Sequence, residues 1–160
     1  MQRSFSNSIF LVTIISVLLT NCSAPLIQTT PESFADTSKV TITCNGASGN
    51  KGLLDVKEPV YVHLGLITDS SVNPNHWRYV KFTWGLTQDS ALAKPVGTNS
   101  WSYTIPNIRK FFGVPGNEKI ESLAVLFRTG NCIDTNCHVL RNLDGSNIYI
   151  PLNAGKPEPK

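Results

Sequence analysis

The residues of this chain that could do chemistry are three histidines, four cysteines and a scatter of carboxylates. His63, His76 and His138 have no nucleophilic serine or cysteine spaced beside them as covalent hydrolysis requires. No serine sits in a G-x-S-x-G turn and no H-E-x-x-H occurs, which removes the nucleophile elbow and the zincin helix. Asp55, Asp69, Asp89, Asp134 and Asp144 fall between apolar runs, where Asp is favoured for turn-forming backbone bonds. No two carboxylates pair as glycoside hydrolysis would need. Gly46-Ala-Ser-Gly-Asn-Lys-Gly52 lacks the G-x4-G-K-[ST] spacing of a phosphate loop and reads as a turn between strands. Cys132 and Cys137 share a loop with His138; without C-x2-C spacing or a fourth ligand, a local disulfide is simpler than zinc. Cys44 falls on a buried row and is expected to be an inert thiol. The expectation is a protein that is not an enzyme and uses no metal or cofactor.

The rings carry more information. Tyr61 and His63 share the face opposite the aliphatics of their segment, and Trp77, Tyr79 and Lys81 do the same in theirs. If the two segments are neighbours, these five residues form a ligand-binding surface of flat rings with polar groups at its margin. The alternative is that one face is misassigned and the rings are core, where Trp is most often at least partly buried.

The elements that must position these residues read as strands. Lys39–Cys44, Pro59–Ile67, His76–Trp84 and Ser100–Ile105 alternate apolar and polar residues, the signature of half-buried strands. In the third, Val80, Phe82 and Trp84 make the inward row. Ile120–Arg128 is apolar on both faces, as a central strand would be. Asn147–Leu152 is the last strand, and Pro151 puts it at an edge or a strand end. A short strand is expected near Leu92–Val96, and one or two helical turns over Asn107–Gly113 with Gly113 as the stop. Six or seven short strands between Gly, Pro and Asn turns predict an all-β, antiparallel β-sandwich.

Charged residues make up 16% of the 160-residue chain, and the net charge is only +3, too little for a nucleic-acid binder that lives on phosphate contacts. An apolar fraction of 41% argues against wholesale disorder, and the length suits one core. Arg3 followed by the apolar run Ile9–Thr20 suits a leader peptide and falls short of a membrane span. Leu19-Thr20-Asn21-Cys22 resembles the lipobox of bacterial lipoproteins, with Asn21 where Gly, Ala or Ser is usual. That resemblance implies a leader over 1–21, lipidation of Cys22 and anchoring in the cell envelope, with the outer membrane as the expected site. Plain secretion is the alternative. The expected organisation is then a tether over 22–38, a β-sandwich domain over 39–152 and a disordered tail over 153–160.

Val60-Tyr-Val-His63, Trp77, Val125-Leu-Phe-Arg128 and Asp144-Gly-Ser-Asn-Ile-Tyr-Ile-Pro151 resemble the starch-binding modules of carbohydrate-binding families 25 and 26. Over Val40–Leu152 the chain is similar to the N-terminal β-sandwich of α-amylase-type lipoproteins from bacterial polysaccharide-utilisation systems. Gly49-Asn-Lys-Gly-Leu53, Trp77-Arg-Tyr-Val80, Pro106-Asn-Ile-Arg109 and Gly113-Val-Pro-Gly116 carry that similarity. The resemblance implies an immunoglobulin-like sandwich of about seven strands that binds α-glucan on His63 and Trp77, with Tyr61, Tyr79 and Lys81 extending the surface. Those families often carry a further Trp in the loop before the last strand; here that loop holds Cys132 and Cys137 and no Trp. The catalytic barrel that follows the module in the amylase-type lipoproteins has no counterpart in these 160 residues, so hydrolysis is not implied. The rival expectation is a structural or adaptor lipoprotein that holds envelope or glycan-uptake proteins.

Overall fold

The computed structural model describes residues 24–132 and 137–153; the segment read as a leader, Cys22 and the last seven residues lie outside them. The described chain is an all-β antiparallel sandwich of two four-stranded sheets. One sheet has the order β1-β2-β5-β4, from Ile27–Thr30, Val40–Asn45, Ser100–Ile105 and Lys94–Gly97. In the other, β6 (Ile120–Thr129) pairs on one side with β3 (Val60–Thr68) and on the other with the short β7 (Val139–Leu140) and β8 (Ile148–Pro151). Pro151 ends β8 at the sheet edge, where its missing N–H costs no ladder bond.

The alternation in the sequence sets the layers. Val40, Ile42 and Cys44 face their registered partners Ile105, Tyr103 and Trp101 in one sheet. Val60, Val62, Leu64 and Leu66 meet Phe127, Val125 and Leu123 in the other, and the two rows close on each other as one core. β6 is buried almost throughout, as its two apolar faces require. The helix α1 (Ile108–Phe112) begins at Asn107, whose side chain accepts from the Lys110 N–H, and stops at Gly113 in the left-handed conformation.

Two segments differ from the sequence reading. Within the segment read as a tether, Ile27–Thr30 is strand β1, registered against Thr41–Cys44, and Phe34 is buried. Arg109 on α1 also donates to Asp36, which ties this segment to the body. The free edge of β2 supplies the order that the IQTT sequence does not advertise. Segment 76–84 is not a strand. Arg78 exchanges backbone bonds with Leu66, and the Lys81 N–H donates to Leu64, so the segment runs along the open edge of β3. Between these contacts Tyr79 has φ 51°, and this left-handed residue resets the alternation. Phe82 still reaches the core, whereas Val80 and Trp84 are turned outward.

Candidate functional site

On β3 the row Tyr61, His63, Gly65 lies on the face away from the core, because the neighbours Val60, Val62, Leu64 and Leu66 take the inner face. Across the ladder His63 is registered with Leu126 and Gly65 with Ala124, and on β8 Tyr149 is opposite Ala124. Segment 76–84, running along the edge of β3, sends the Trp77 and Trp84 side chains over this outer face. Trp77 crosses directly above Gly65, where an added Cβ would stand 3.1 Å from the indole. Glycine at that position is what allows the ring to lie flat on the sheet.

His63 then becomes the centre of an aromatic group. Its ring stacks on Trp77 with centroids 5.6 Å apart and planes 24° apart, and Trp84 meets it edge-on at 5.0 Å. The Trp77 indole N–H donates to the Tyr149 hydroxyl at 3.1 Å, and that hydroxyl lies 3.0 Å from Asn75 Oδ1. These rings open onto a recess of about 290 Å³ with Leu126 and Val80 among its apolar lining. Its polar lining is Asn75, Asn147 and Arg141, and Arg141 donates to the Asn147 side chain. Trp84 is 40% exposed and Leu126 beneath the recess only 3%. A larger groove, about 680 Å³, runs between the edge strands β1 and β8, but it offers one ring and one carboxylate.

His63 is 9% exposed, and its Nδ1 has no hydrogen-bond partner among the described residues. Burial, and then the positive charge of Arg128, push its pKa down to about 4. The imidazole is therefore neutral at physiological pH and serves as a ring rather than a charge. Among the described residues no carboxylate lines the recess, which offers flat rings together with amide and guanidinium hydrogen-bonding groups.

Of the five residues expected to form the surface, the fold brings His63 and Trp77 together. Tyr61 lies on the same face but packs against the Arg128 guanidinium, 5.8 Å from its ring centroid. Tyr79 and Lys81 are engaged elsewhere. The Tyr79 hydroxyl donates to Glu118, and Lys81 Nζ donates to the Phe111 carbonyl at 2.7 Å. Hydrogen bonds from Thr68, Tyr79 and Arg78 hold Glu118 below the usual carboxylate range, so this carboxylate is a structural pin. Cys132 and Cys137 form a disulfide, which leaves no thiolate pair for a metal, and Cys44 is a buried free thiol. Trp84, Asn75, Arg141 and Asn147 escaped the sequence reading. Gly85, left-handed at φ 83°, was the available signal that a turn and not a strand follows Trp84.

The glycine-rich loop has its function here. Asn50 brackets the incoming strand: its N–H donates to the Arg141 carbonyl, its Oδ1 accepts from Arg141 N–H and its Nδ2 donates to the Val139 carbonyl. Gly49 and Gly52 permit this approach, since a Cβ would stand 2.2 Å from Arg141 O and 2.1 Å from Val139 O. Gly52→Ala is expected to cost about 1–3 kcal/mol in urea unfolding, as overpacking against rigid backbone does. A stability change below about 0.5 kcal/mol would show that the loop is free to move away.

No protein-family model matches the chain, and no curated protein sequence is significantly similar to it.

Proposed function

We propose that this chain is a non-catalytic carbohydrate-binding module that takes α-glucan. The recess that joins Trp77, His63 and Trp84 to Asn75, Asn147 and Arg141 carries the reading. Pyranose rings present C–H-bearing faces to indoles, and their hydroxyls match amide and guanidinium groups in number and polarity. A neutral imidazole and, among the described residues, a lining without carboxylates fit a polymer that carries no positive charge. The α-linked class comes from the sequence resemblance, which rests on the His63 strand and Trp77 among its phrases.

Native electrophoresis through gels cast with soluble starch tests it. The protein is expected to be retarded relative to a gel without polysaccharide. Equal migration across starch and a panel of other glycans would remove glycan binding and leave the adaptor reading, which crosslinking in envelope preparations would then address. Membrane anchoring through Cys22 belongs to the same proposal. Cys22→Ser is expected to move the full chain from the membrane to the soluble fraction; unchanged fractionation would count against lipidation.

A further inference from the structure

We infer that Arg128 is a positioning residue of the recess: its buried guanidinium sets the angle of Trp84 from behind, with the disulfide-bonded Cys132 as its second support. The inference builds on the glycan reading of the recess. Arg128 projects from the outer face of β6 opposite Tyr61, and it is fully buried. A buried cation is normally held by a carboxylate, and its removal from water is otherwise unfavourable. The two ion pairs among the described residues, Arg78–Glu118 and Arg109–Asp36, do not involve it.

Carbonyls and rings take the place of a counter-ion. Nη2 donates to Leu86 O at 2.6 Å, and Nη1 donates to Thr129 O at 3.0 Å and to Gly130 O. The guanidinium carbon stands 5.5 Å from the Trp84 ring centroid and 5.8 Å from that of Tyr61. The hydrogen-bond acceptors come from two segments that do not pair as strands, the Trp84 turn and the end of β6 with the residue after it. The Trp84 turn closes on itself through Leu86 N–H to Thr83 O and Thr83 N–H to Gln88. Its hydrogen bonds to the sheet and the next loop, among the described residues, are Arg128 to Leu86 O and the Cys132 N–H to Gly85 O. Nη1 also lies 3.7 Å from the Cys132 sulfur. The planar fork of Arg can span both segments at once, which the single ammonium of Lys cannot. Trp84 owes its orientation to those two bonds and to the cation behind its face.

Fluorine NMR of the 5-fluorotryptophan-labelled domain tests this, with the three resonances assigned by Trp77→Phe, Trp84→Phe and Trp101→Phe. Arg128→Met is expected to shift or broaden the Trp84 resonance while Trp101, in the core, keeps its position. Affinity for starch oligosaccharides should fall about fivefold or more. Arg128→Lys should retain folding but recover neither the resonance nor the affinity, and Cys132→Ser with Cys137→Ser should broaden the same resonance. A purely structural role would lower the unfolding midpoint and leave the Trp84 resonance of the folded protein where it was; that result overturns the inference. Should Arg128→Met fail to fold, the Lys and the double Ser variants decide on the same criterion. A wild type that no glycan retards would remove the binding reading, whereas the Trp84 resonance would still judge Arg128.

Discussion

Trp77→Ala is expected to lower glycan affinity at least about 30-fold, the loss of about 2 kcal/mol that marks a central aromatic anchor. Trp84→Ala should cost a similar factor, while Tyr79→Phe and Lys81→Gln should bind like the wild type. The contrast follows from placement. Trp77 supplies the ring that stacks on His63, and Trp84 supplies the perpendicular one. Tyr79 and Lys81 spend their polar atoms on Glu118 and on the Phe111 carbonyl. Affinity electrophoresis and calorimetry with maltooligosaccharides measure all four, with thermal unfolding as the check on folding. Losses at Tyr79 and Lys81 equal to that at Trp77 would move the binding surface to the β3 edge and empty the recess of its assigned role.

Acid should destabilise the domain across a window that His63 sets. The group has a pKa of about 4 in the folded protein against 6.5 when unperturbed. The unfolded chain therefore binds more protons between those values, so stability rises with pH across the window and is lost as pH falls from 6.5 towards 4. The slope reaches about 1.4 kcal/mol per pH unit where the unfolded imidazole is protonated and the folded one is not. The depressed carboxylates Glu118 and Asp144 add their own losses only lower, as pH falls below the ordinary carboxylate range. Urea unfolding from pH 7.5 to 5 isolates the histidine: His63→Gln should flatten the curve in that interval. A variant with the wild-type slope would show that another group carries it.

The strands were legible because each carries one row of apolar residues at a period of two. Val40–Asn45, Val60–Thr68 and Ser100–Ile105 alternate, and a sheet packed on one face needs nothing more. The same test misreads 76–84, since a period of two cannot register one left-handed residue at Tyr79. Strand β1 was hidden for the opposite reason: its apolar signal is a single half-buried Ile27, and its pairing is dictated by the open edge of β2. His63 and Trp77 could be read as a pair because one strand and the turn after it carry them. Arg141 and Asn147 come from a loop with no period; Asn50, far away in sequence, fixes the backbone at Arg141, and Arg141 and Asn142 hold Asn147. Trp84 looked like core because apolar residues at i and i+2 look alike whether or not the chain between them turns.

The incorporation of β1 shortens the leash. With lipid on Cys22 as proposed, a tether reaching Lys39 would let the domain range about 60 Å from the bilayer. Ser48 instead donates to the Ala24 carbonyl at 2.8 Å, and Asn45 N–H donates to Leu26 O, so the fold takes hold of the chain at Ala24. Two peptide links then separate anchor and domain, about 7 Å at full stretch. Ser48 adjoins Gly49, whose backbone packs against Arg141 at the recess. On the anchored, glycan-binding reading proposed above, a domain so mounted would not fish in the surrounding medium but would meet a polymer lying along the membrane surface.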